Sequence, residues 1–125
     1  MTRTNVLKIL FLTGLAGSVC QLQASDALAC NLKALTQAER ARHQQLGHAW
    51  HAAVADRREF GDGYAFRIDP SKISIVELAE WIGYEQKCCP FFRFRLDVDE
   101  ARSVWMTLSG RPGVKQFIAA EFPAE

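Results

Sequence analysis

The sequence predicts a two-layer α+β domain, with helices packed on one face of a small three-stranded sheet and an element order α-β-α-β-β-α. Three observations carry that expectation. Apolar residues recur at helical spacing in several segments, apolar and polar residues alternate in others, and Gly or Pro clusters punctuate the boundaries between them. A chain of 125 residues, 23% charged and 49% hydrophobic, fits one globular domain without repeats, low-complexity tracts or an interdomain linker.

The first helix opens at Thr36-Gln37-Ala38-Glu39, a capping box, and is expected to run to about Asp56 with Leu46, Ala49, Trp50, Ala53 and Val54 on one stripe. Gly61, Asp62 and Gly63 break the chain. Tyr64, Phe66 and Ile68 then alternate with Ala65, Arg67 and Asp69, a half-buried strand ended by Pro70. Ser74-Ile75-Val76-Glu77 is a second capping box, opening a helix with Ile75, Leu78, Ala79, Trp81 and Ile82 as its apolar arc. Pro90 disfavours helix at the residue before it and stops this helix at Cys89. Phe92, Phe94, Leu96 and Val98 form a second strand, and Val104, Met106 and Leu108 a third, close enough in sequence to be an antiparallel hairpin. Val114, Phe117, Ile118 and Phe122 give a short final helix.

Residues 1–29 read differently. Arg3 and Lys8 precede an apolar run from Ile9 to Val19 that is too short to span a bilayer, and small-residue cleavage sites follow at Ala27-Leu28-Ala29 or Ser25-Asp26-Ala27. The expectation is a secretory signal peptide over 1–29, a single domain over 30–125, a periplasmic or secreted location, and no stable membrane insertion after cleavage. Cleavage removes Arg3, Lys8 and Asp26 and leaves equal numbers of basic and acidic side chains, which argues against a nucleic-acid partner.

Cleavage also removes Cys20, leaving Cys30, Cys88 and Cys89, an odd number for an oxidising compartment. Cys88 and Cys89 are poor partners for each other, because adjacent Cα atoms lie about 3.8 Å apart, below the usual disulfide range. A bridge from Cys30 to one of them is easier. The third thiol would then bind metal, react, or pair between molecules.

On a helical wheel Glu85 falls inside the apolar arc of the second helix, whereas Glu77 and Glu80 fall on the opposite face. A carboxylate aimed at a core requires a cation, a proton or hydrogen-bond donors. Cys88 lies about one turn beyond it, so a carboxylate and two thiols gather at one helix end. Thiolates with a carboxylate or imidazole hold zinc or copper and, by the same softness, mercury. Neighbouring side chains on a helix diverge by about 100°, so both thiols reach one ion only if the helix end unwinds at Pro90. The plainer reading makes both cysteines small buried hydrophobes.

Of the three histidines on the first helix, only His43 borders the apolar stripe, where it packs at a core edge, partners Glu85 or serves as a ligand. Arg93 and Arg95 are expected to stack across the hairpin on Trp105. No Ser/His/Asp arrangement, phosphate-cradling loop or carboxylate pair supports a hydrolase or transferase.

Cys30-Asn31-Leu32, Leu35-Thr36, Glu39-Arg40, Asp62-Gly63-Tyr64, Glu85, Cys88-Cys89-Pro90-Phe91-Phe92 and Gly110 to Lys115 carry a resemblance. The chain resembles small uncharacterised bacterial proteins with a Glu-x-x-Cys-Cys-Pro-Phe signature, and is similar to segments appended to some regulators of the mercury-responsive type. The resemblance implies that Cys30, Glu85, Cys88 and Cys89 belong together, and associates them with heavy metals. The functional expectation is an exported protein that binds a soft or borderline metal ion through Cys30, Glu85, Cys88 and Cys89 for sequestration or delivery. The alternatives are a thiol redox protein using Cys30 with Cys88 or Cys89, and a non-catalytic interaction domain with structural cysteines.

Overall fold

A computed structural model describes residues 28–123, so the expected signal peptide over 1–29 lies outside the described residues except for Leu28 and Ala29. A single 3-10 turn over Leu32–Ala34 precedes α1 (Gln37–Ala53), β1 (Val54–Phe60), β2 (Gly63–Ile68), α2 (Ile75–Cys88), β3 (Arg93–Val98), β4 (Val104–Ser109) and α3 (Val114–Glu121). The sheet is four-stranded in the order β1-β2-β4-β3, and every neighbouring pair is antiparallel.

The expected class holds, but the sheet has one strand more than the sequence predicts and the order becomes α-β-β-α-β-β-α. The extra strand comes from Val54 onward, where the helix was expected to reach Asp56; α1 stops at Ala53. The physical reason is tertiary pairing. Val54 to Phe60 lies along β2 from Val54↔Ile68 to Phe60↔Gly63, with a register shift between Val54 and Asp56. Its charged side chains suit an edge strand, which resists pairing with another chain. Arg57 lies over the Tyr64 ring at 4.1 Å and Arg58 over Trp105 at 4.5 Å. Arg58, not Arg93 or Arg95, is therefore the cation on Trp105. Arg93 pairs with Asp62 at 3.3 Å and Arg95 with Asp97 at 3.4 Å instead.

Both capping boxes form. Thr36 Oγ accepts from Glu39 N while the Glu39 carboxylate accepts from Thr36 N, and Ser74 and Glu77 repeat the arrangement. The apolar arc of α2 is narrower than expected, because Ile75 is 42% exposed and Ala79 is also exposed. Ile73, just before the cap, is buried instead and occupies the staple position relative to buried Leu78.

The core lies between the helices and one sheet face. Tyr64, Phe66 and Ile68 of β2 and Val104, Met106 and Leu108 of β4 meet Leu46, Trp50 and Ala53 of α1, Leu78 and Trp81 of α2, and Val114 and Ile118 of α3. Trp50 and Trp81 have ring centroids 5.0 Å apart, joining α1 to α2 above the sheet. No helix among the described residues is long and apolar enough to cross a membrane.

Candidate thiol and metal site

The C-terminal end of α2 is assembled from two directions. Cys89 caps the helix, its N–H donating to the Glu85 carbonyl at 2.6 Å, and Pro90 prevents another turn. The N-terminal segment then docks, with Asn31 N donating to the Cys88 carbonyl at 2.7 Å. Leu35, Cys88 and Cys89 form a small buried cluster apart from the main core, flanked by Tyr84, Phe91 and Phe92.

This docking brings Cys30 to Cys89, and the two are joined by a disulfide with Cα atoms 4.6 Å apart. Cys88 is free and fully buried, and its Sγ lies 3.6 Å from that of Cys89. Cys89 has left helical geometry, with φ −128 and ψ 65. That departure removes the divergence expected of adjacent helical side chains.

Glu85 points inward and is 5% exposed. Its Oε1 accepts from His43 Nε2 at 2.5 Å, and the His43 ring lies nearly parallel to Trp81 with centroids 6.2 Å apart. α1 thus supplies the partner that a buried carboxylate requires. Burial pushes the Glu85 carboxyl above its ordinary range, and the His43 contact opposes that rise. Burial, with the Glu85 carboxylate beside it, pushes the Cys88 thiol up to about 11.

The donor atoms of Cys30, Glu85 and Cys89 all lie within 4.8 Å of one another, as do those of His43, Glu85 and Cys88. Glu85 belongs to both groups. The sulfur-rich donor set fits a soft or borderline ion once the disulfide is reduced. Tetrahedral ligands with metal–sulfur bonds of about 2.3 Å sit about 3.8 Å from one another, close to the 3.6 Å between Cys88 and Cys89.

The four residues expected from the sequence fall in two donor groups that share Glu85, one with Cys30 and Cys89 and the other with His43 and Cys88, and the Cys88 and Cys89 sulfurs lie 3.6 Å apart. His43 meets Glu85 and stands with Glu85 and Cys88 in one donor group, which fits both the partner and the ligand readings of its position. Sequence reasoning missed the cleft beside them. The half-buried Phe92, Phe117 and Phe122, with the buried Trp50 and Trp81 beneath, line a cavity of about 610 Å³ bordered by Cys30, Cys89, His43 and Glu85. Each aromatic was assigned to the core by its periodicity, and periodicity cannot separate a packed wall from an open one. Comparisons with family models, curated proteins and solved structures found no match to this chain.

Proposed function

We propose that this chain binds a soft or borderline metal ion, copper, zinc or mercury, through Cys30, Cys88 and Cys89 in their reduced form. Its role is sequestration or delivery outside the cytoplasm, as the signal-like N-terminus suggests. Glu85 is a further ligand or a hydrogen-bonded carboxylate held by His43. The observation that supports this reading is the 3.6 Å sulfur separation at Cys88 and Cys89, a spacing compatible with two ligands of one ion. In the oxidised protein the disulfide withholds two of the three sulfurs, so reduction precedes binding.

The test is anaerobic purification of the reduced protein, with bound metal counted by native mass spectrometry for wild type, Cys88→Ser and Cys89→Ser. Wild type should hold one ion per chain, and both variants should lose it. Full occupancy in both variants overturns the proposal.

A second reading, thiol–disulfide exchange at Cys30–Cys89, is favoured by a separate observation. The bonded pair has an exposed sulfur-bearing residue, Cys30, and a third thiol within 3.6 Å of its buried partner. Against a resident disulfide of purely structural role, it expects reversible opening by small thiols without loss of the fold.

A further inference from the structure

The Cys30–Cys89 disulfide forms part of the wall of the aromatic cleft, and this placement selects what can reach it. Cys30 is exposed, whereas Cys89 is 1% exposed and Cys88, fully buried, lies outside the cleft wall. An incoming nucleophile therefore meets Cys30 first. The half-buried rings of Phe92, Phe117 and Phe122 line the approach over the buried Trp50 and Trp81, and a volume of about 610 Å³ is within the range of small-molecule sites. The acidic groups on the wall are Glu85, bonded to His43, and Glu121; His48 and His51 also line it, and no lysine or arginine does. An anionic thiol such as glutathione finds no lysine or arginine there to receive it, and an uncharged apolar one finds a largely aromatic wall.

We propose that this cleft is a binding site for a small, uncharged apolar thiol that exchanges with the Cys30–Cys89 disulfide. The inference rests on the exchange reading above and adds the class of co-substrate. In the first step the ligand's thiolate attacks Cys30 Sγ. A ligand–Cys30 disulfide forms, the Cys30–Cys89 bond breaks, and its electron pair leaves on Cys89 Sγ, which takes up the proton the ligand gave up. A second ligand thiolate attacks the ligand sulfur of the mixed disulfide, releasing the ligand's symmetrical disulfide and leaving Cys30 reduced. Two ligand thiols are oxidised and one protein disulfide is reduced.

Gly47 provides the discriminating variant. It lies on the cleft wall within α1, and a Cβ added there meets Trp81 Nε1 at 3.6 Å, an ordinary contact. Gly47→Leu fills part of the cleft and raises helix propensity, so the fold is retained. The oxidised protein is mixed with benzyl mercaptan or glutathione at equal thiolate concentration, acid-quenched, and followed by intact mass and peptide mapping. Benzyl mercaptan should open the disulfide at least about tenfold faster, as burial of one ring predicts, with the adduct on Cys30. In Gly47→Leu that advantage should vanish while the glutathione rate stays unchanged. Equal rates in wild type, or an advantage that survives in Gly47→Leu, overturns the cleft assignment and leaves the exchange reading standing. No opening by either thiol overturns both.

Discussion

Replacing Cys30 by serine should lower the stability of the domain by about 3 to 4 kcal/mol without abolishing its fold. The disulfide links positions 59 apart in sequence, and the chain-entropy relation for a loop of that length gives about 4 kcal/mol. Two features bound the effect. Residues 28–34 are mostly exposed, so the freed segment regains some mobility in the folded state and returns part of that stabilisation. Against that, Leu35 is 2% exposed and Arg40 Nη1 still donates to its carbonyl at 2.8 Å, so the chain stays anchored just beyond the break. For a domain of this size, about 3 to 4 kcal/mol corresponds to a melting-temperature fall of about 15 to 25 °C. The assay is thermal unfolding by far-UV circular dichroism, with and without a reductant, for wild type and Cys30→Ser. Reduced wild type and Cys30→Ser should coincide, both well below the oxidised protein. A shift under about 3 °C on reduction would refute the loop-closure reasoning. Zinc or copper added to reduced wild type should recover part of the loss, because a ligand that binds only the folded state stabilises it.

Three further outcomes follow from the same geometry. Cys88→Ser leaves the Cys30–Cys89 bond intact but removes the third sulfur, so the metal affinity of the reduced protein should fall at least about a hundredfold in competition with a chromophoric chelator, more than outer-sphere changes produce. Burial raises the Glu85 carboxyl, so the stability tied to this group is present below its ordinary value of 4.5 and is lost as pH rises through the folded-state value. Metal-free Glu85→Gln, which keeps an acceptor for His43, should therefore gain on wild type in urea unfolding as pH rises above 4.5; a constant difference would contradict the assignment. Gly63→Ala places a Cβ against the Leu108 carbonyl oxygen and 2.8 Å from Ser109 Cα, both backbone of β4, and should cost about 2 to 4 kcal/mol in chemical denaturation.

Both capping boxes, the alternating strands and the proline stop at Cys89 are local features. Each is settled by backbone donors and side chains within a few residues, so they could be read directly from the chain. Glu85 was recognisable for a similar reason, since it breaks an otherwise apolar arc and nothing local satisfies it. The strand at Val54 to Phe60 was hidden, because its charged residues are as compatible with helix and only pairing along β2 decides between the two. A signal was present in the two-residue Gly61-Asp62 turn between runs that pair from Phe60↔Gly63, a hairpin spacing.

The sequence by itself determined the α+β class and marked Cys30, Glu85, Cys88 and Cys89 as candidates, because hydrophobic period, caps and cysteine positions are properties of short stretches. Tertiary structure decided the arrangement of that site. Which cysteine bonds Cys30, which one stays buried and free, and that His43 meets Glu85 all depend on the N-terminal segment and α1 packing against the end of α2. Those contacts join residues far apart in sequence, and no local pattern encodes the distance between them.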